Sequence, residues 1–184
     1  MKSPIDPKST LERREIHPGL EGFVCPSSGG CWIDGETYWN WLRAQPGFPK
    51  PTQSTEGPSV ELATDTERAV LSPRTGRLMR RFRVGSGLDF HIDYDAAAPG
   101  FWFDAGEFGM LVERSLHDEI HLICTEHYQR KLRELGKSEG LRARRIALLG
   151  EEVIDRLEST ARWLRTLEHP EVADAVLRDL LDTD

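Results

Sequence analysis

The sequence predicts an α+β protein, in which a small ribbon-like β-hairpin element is packed with a C-terminal helical hairpin and a short last helix. Three observations predict this. Residues 88–94, Leu-Asp-Phe-His-Ile-Asp-Tyr, alternate strictly between apolar and polar, the period of a strand with one buried face. Two related strings, one ending near Glu36 and one near Glu107, suggest that part of the β element occurs twice. Beyond Gly106, apolar residues recur at spacings of three and four, the period of a helix with one packed stripe.

Residues 1–20 mix charges with Pro4, Pro7 and Pro18 and show no periodicity, so they are expected to be an extended, mobile lead-in. Residues 21–46 are aromatic-rich and form the smaller copy, with a short helix over Gly35–Ala44 stopped by Gln45-Pro46-Gly47. Residues 47–66 carry Pro49, Pro51 and Pro58 among Ser, Thr and Gly, the composition of a linker with a polyproline-like start. Residues 67–108 hold the larger copy. Its hairpin, Gly76–Asp95, turns through Gly85-Ser86-Gly87; a three-residue turn pairs Val84 with Leu88 and Phe82 with Phe90 and sets Arg83 opposite Asp89.

Residues 109–184 are read as helical. Val112, Leu116, Ile120 and Ile123 make one stripe; Ile146, Leu149, Val153, Leu157, Ala161 and Leu164 make a second, with Gly136 and Gly140 at the break between the two helices. Pro170 suits the first turn of a last helix, Glu171–Leu181.

Composition narrows the function classes. The chain has 184 residues, a net charge of −7 and three cysteines, an odd number that argues for a reducing compartment and a cytoplasmic location over a disulfide scaffold. No apolar run approaches the ~20 residues that span a bilayer, and residues 1–20 do not resemble a signal peptide. The acidic average disfavours nucleic acid, but Arg130–Arg145 holds seven cations against Glu134 and Glu139, and Arg142, Arg144 and Arg145 could contact phosphates. Against that, the acidic residues of 151–184 can neutralise the same corner.

The repeat is the most specific signal. Cys25-Pro-Ser-Ser-Gly-Gly-Cys-Trp-Ile-Asp-Gly-Glu36 and Asp95-Ala-Ala-Ala-Pro-Gly-Phe-Trp-Phe-Asp-Ala-Gly-Glu107 share Gly, any residue, Trp, an apolar residue and Asp, then Gly-Glu. The pattern resembles the second knuckle of the bacterial zinc-ribbon family named after general transcription factor IIB. Ser72-Pro-Arg-Thr-Gly-Arg-Leu-Met79 resembles that family's first knuckle. The resemblance implies a ribbon over residues 70–108, half a ribbon over 21–42, a helical extension at Leu116–Leu122 with Gln129, and transcription-like roles. It also implies four zinc-binding cysteines, which here fall on Ser72, Thr75, Asp95 and Ala98. In the half copy, Cys25 keeps a ligand position while Ser28 replaces its partner, and Cys31 sits where the family has a variable residue. Such a set cannot close a tetrahedral thiolate site, so the expectation is a ribbon kept without its metal and held by Phe82, Phe90, Tyr94, Phe101, Trp102 and Phe103.

Two further clusters carry side chains capable of chemistry. His117, His121 and Cys124 fall at i, i+4 and i+7 on one expected helix face, a geometry that can hold a transition metal; with Cys25 they are the candidate ligands. His117-Asp-Glu-Ile-His121 departs from the zincin helix at its second residue, Asp118, and packing is the favoured role. Asp89, His91, Asp93 and Asp95 share the hairpin's polar face, where Arg77, Arg81 and Arg83 can neutralise them. No catalytic constellation emerges and no cofactor is expected. The function that follows is a non-catalytic cytoplasmic module for protein interaction or self-association, with Trp32, Trp39, Trp41 and Trp102 as docking anchors. Its alternatives are a nucleic-acid-binding accessory protein and a metal-binding protein.

Overall fold

The first hairpin starts earlier than the sequence suggests. In the computed structural model, which describes residues 1–46, 66 and 68–182, β1 (Glu12–His17) pairs antiparallel with β2 (Leu20–Val24). The expected mobile lead-in is thus an edge strand. Its turn is Pro18-Gly19: proline presets its own φ, and Gly19 at φ 72° supplies the positive angle that follows. Strand β3 (Cys31–Asp34) pairs with β2 and runs straight into α1 (Gly35–Ala44).

The same order then repeats. Strands β4 (Arg80–Gly85), β5 (Leu88–Asp95) and β6 (Gly100–Phe103) are followed by α2 (Glu107–Glu113). All six strands lie in one antiparallel sheet of order β1-β2-β3-β6-β5-β4, a palindrome. The copies meet at β3 and β6, where Cys31 opposes Phe103, Trp32 opposes Trp102, Ile33 opposes Phe101 and Asp34 opposes Gly100. A local twofold axis therefore passes through the middle of the sheet.

The hairpin register differs from the expected one. Gly85 opposes Leu88, Arg83 opposes His91 and Phe82 opposes Ile92, with a bulge between Arg83 and Gly85. Ser86 (φ 53°) and Gly87 (φ 77°) form a two-residue turn with two positive angles, whose twist matches that of the strands. The bulge absorbs the odd residue, so Phe82, Leu88, Phe90 and Ile92 still share the buried face. Arg83 still reaches Asp89, 2.9 Å away, but along a diagonal.

The central strands are covered on both faces. One core holds Ile33, Phe101 and Phe103 with Tyr38, Trp41 and Leu42 of α1, Phe108 and Leu111 of α2, and Leu116, Ile120 and Ile123. The other face holds Trp32 and Trp102 with Leu11, Cys25, Val70 and Met79. Each wholly buried indole contributes on the order of a few kcal/mol.

The chain divides into two units, Met1–Leu132 and Arg133–Asp184. Within the first, the expected helix through Val112 and Ile123 is interrupted: residues 114–119 form a turn with Ser115 at φ 55°, and α3 spans only Ile120–Ile123. The expected break at Gly136 and Gly140 is also absent, because α4 (Glu126–Leu149) runs through both. The chain turns instead at Gly150, φ 85°, into α5 (Glu151–Leu164) and then α6 (Pro170–Leu181). The Pro-rich stretch expected as a linker lies outside the described residues, apart from Thr66.

Candidate interaction surface and the two knuckles

The duplication reaches further than the repeated string. Ser3 Oγ accepts the N–H groups of Ile5 and Asp6 at 3.3 and 3.2 Å; Ser72 Oγ accepts those of Arg74 and Thr75, both at 3.1 Å. The backbone bond from Leu11 N–H to the Met1 carbonyl, 2.9 Å, matches that from Met79 N–H to Val70, 3.0 Å. Residues 1–11 thus fold as residues 70–79 do, each termed the first knuckle of its copy, and the copy expected to be half is whole. The signal was present: Ser3-Pro4 precedes Trp32 by 29 residues, and Ser72-Pro73 precedes Trp102 by 30.

The two knuckles of each copy are joined by hydrogen bonds. In the second copy, Thr75 Oγ1 donates to Asp95 at 2.7 Å, and the N–H groups of Ala97 and Ala98 donate to its other oxygen at 2.8 and 3.3 Å. Burial raises the Asp95 carboxyl, but bonds from Ser72, Thr75 and these amides outweigh it and hold it below the usual 3.8. In the first copy, Ser27 Oγ donates to Asp6 at 2.8 Å and lies 3.2 Å from Cys25 Sγ. Burial raises the Cys25 thiol too, yet hydrogen bonds from Ser27, Ser28 and Ser3 bring it down to about 6 from its ordinary 9. Neither set, Ser3-Asp6-Cys25-Ser28 or Ser72-Thr75-Asp95-Ala98, supplies the four thiolate or imidazole donors of a structural zinc site.

The Gly-x-Trp-x-Asp string has a physical basis in this geometry. Trp32 Nε1 donates to Asp34 at 2.8 Å and Trp102 Nε1 to Asp104 at 2.9 Å; strand period two puts each acceptor on its indole's face. Each glycine makes room for the other copy's ring. A Cβ on Gly30 would lie 2.5 Å from the Trp102 ring, and one on Gly100 would lie 2.1 Å from the Trp32 ring.

This geometry corrects the docking anchors. Trp32 and Trp102 are wholly buried and Trp41 is 5% exposed, its indole N–H donating to the Pro18 carbonyl at 3.1 Å. Trp39 alone of the four stays open, at 38%. The tryptophans lie between the copies or under α1, so most cannot meet a partner.

The candidate metal ligands do not come together as a set. His117 lies in the turn ahead of α3 and packs against His17 and Trp41, with ring centres 4.8 and 5.7 Å apart. His121 lies in α3, its Nδ1 3.3 Å from the Tyr38 hydroxyl and its ring 4.7 Å from that of Trp39. Burial lowers His121, against the pull of Asp118. Cys124 packs against the first core, where burial raises its thiol, and Cys25 lies in the other core. Because the turn at 114–119 breaks the expected helix, these residues share no helical face. Among the described residues, no three His, Cys, Asp or Glu side chains are placed to hold a metal. His17, 100 residues from His117, is the partner that sequence spacing had no means of supplying.

The hairpin carboxylates are engaged one by one. Asp89 pairs with Arg83, buried Asp93 lies 3.7 Å from Arg81 Nε, and Asp95 belongs to the knuckle. Arg77 is exposed at the first knuckle of the second copy.

The second unit contrasts with the first. Ile154 is its one buried side chain among the described residues, whereas Leu141, Leu148, Leu157 and Trp163 are 52–83% exposed. Arg142 Nε donates to Glu158 at 3.1 Å and its Nη2 to Asp155 at 2.5 Å, so this arginine is committed within the unit. Arg144 and Arg145 remain at the surface. Among the described residues, no helix is long and apolar enough to cross a membrane. No family model matches the chain, and neither the curated proteins nor the solved structures contain a match to it.

Proposed function

We propose that this protein is a non-catalytic, cytoplasmic interaction or assembly module. In this reading, a double zinc-ribbon-like unit that has exchanged its metal for hydrogen bonds is the scaffold, and the helices beyond residue 132 are the docking element. One observation carries the reading: the large apolar side chains left in solvent concentrate at residues 135–181, on amphipathic helices, while the sheet unit buries nearly all of its own. Exposed apolar stripes on regular helices mark surfaces that meet a partner. The resemblance to the zinc-ribbon family supports the scaffold through both copies of Gly-x-Trp-x-Asp and both pairs of knuckles.

Size separation of freshly lysed native cells, followed with an antibody to the chain, tests this. The expected result is migration in an assembly well above the 20.9 kDa chain mass, shifted down by aspartates at Leu148 and Leu157. Migration at the chain mass in the lysate would overturn the reading.

Nucleic-acid binding is the second reading, favoured by the exposed Arg144 and Arg145. The commitment of Arg142 to Asp155 and Glu158 weighs against it, as does the surrounding acidic charge, which would repel phosphates.

A further inference from the structure

We infer that the partner of the helical unit is a second copy of the same chain, held through the exposed stripes of α4–α6 in a twofold, self-complementary contact. The inference rests on the docking reading above and names its occupant.

Helix α6 provides the apolar part. Val172, Val176, Leu177, Leu180 and Leu181 recur at i, i+4, i+5, i+8 and i+9, one continuous stripe, and are 39–73% exposed. Leaving five such residues in water on one short helix is costly, and only another apolar surface recovers that free energy.

Charge identifies the surface. Residues 133–149 carry five cations against two acids; residues 150–184 carry four cations against ten acids. The unit therefore has a basic and an acidic part in one chain. Arg142 spans the two internally, but Arg144 and Arg145 on the basic part, and Glu152 and Glu168 on the acidic part, make no ion pair among the described residues. In a twofold contact the basic part of each copy meets the acidic part of the other, and both pairings form at once. Arg178, paired with Asp174, is the one cation of α6, against Glu171, Asp174 and Asp179 with Asp182 at its C-cap; this net negative charge would repel an anionic lipid surface or a nucleic acid, so neither suits the stripe.

Sedimentation of the purified full-length chain tests the inference without any other protein present. At about 50 μM the expected mass is twice 20.9 kDa. Leu177→Asp with Leu180→Asp is expected to weaken association by roughly a hundredfold. Both positions are exposed, so helix content should hold. If that pair unfolds the helix, Val172→Lys with Val176→Lys is the second variant, with the same expectation. Arg144→Glu with Arg145→Glu should also weaken the dimer, and raised salt should do the same to the wild type. A wild-type monomer at this concentration overturns the inference, as does a dimer indifferent to both stripe variants. If the purified chain is a monomer but the native one migrates in a large assembly, self-association fails while the docking reading stands.

Discussion

Cys25 shows how neighbouring hydroxyls can set the chemistry of one side chain. Ser27 has a single hydroxyl proton, and the structure places it between Asp6 and Cys25, 2.8 Å from the carboxylate and 3.2 Å from the sulfur. The two anions therefore compete for one donor. Removing Asp6 releases that donor to the thiolate and deletes a neighbouring negative charge; removing Ser28 takes a donor away. Thiolate absorbance in the ultraviolet should titrate near pH 6 in the native chain. Asp6→Ala should move that midpoint lower and Ser28→Ala should move it higher. A native midpoint near the ordinary 9 would refute the assignment. Cys31 gives the internal contrast: burial, with Glu107 nearby, pushes it up to about 12, so it stays protonated in the same titration.

Glycines set the boundaries of the helical elements, and two of them mislead a sequence reading. Gly136 and Gly140 look like a break because each weakens a helix, yet α4 runs through both, and a Cβ at either would meet open space. Gly136→Ala and Gly140→Ala should therefore each stabilise the helix by about 0.5–1 kcal/mol. Gly150→Ala should destabilise by a similar or larger amount, because φ 85° at that turn suits glycine. Helix content and the thermal midpoint of the three variants check this, and a loss of helix at Gly136→Ala would contradict it. The same contrast runs through the other elements. The β5 alternation was legible because the strand's local period survives in the fold, and the last helix because Pro170 opens it. The β1 strand was not, because an edge strand exposing Glu12, Arg13, Arg14 and Glu15 carries no apolar period. The hairpin register was missed by two residues along the strand, Phe82 facing Ile92 where Phe90 was expected, since a turn one residue shorter and a bulge together shift the partner while leaving the buried face intact. The metal candidates failed for a different reason: spacing along a helix has meaning only where the helix is continuous, and Ser115 ends it.

At the scale of the whole chain, the repeat is the most informative feature. Its string was legible in the sequence, but its reciprocity was not, since the contacts of Gly30 with Trp102 and Gly100 with Trp32 join positions about seventy residues apart. The same architecture sets how stability responds to acid and base. Cys25, His121, Asp6 and Asp95 all have folded values below their ordinary ones, so the fold binds fewer protons than the unfolded chain at each. Stability from Cys25 is present in full above pH 9 and is lost as pH falls toward 6; that from His121 is lost below 6.5, and that from the aspartates below 3.8. Cys31, Cys124 and Tyr38 are raised by burial, and as acids they act the other way: their contribution is lost as pH rises past 9 or 10. The two sets oppose each other only at the alkaline end. Urea midpoints should therefore climb from pH 5 to about 9 and decline above it. Cys25→Ser should flatten the climb between 6 and 9, leaving the portion below 6.5 to His121, and His121→Gln should flatten that lower portion alone. A midpoint that is level from pH 6 to 9 in the native chain would show that the hydroxyls around Cys25 do not hold a thiolate, and that the first knuckle is closed by neutral hydrogen bonds instead.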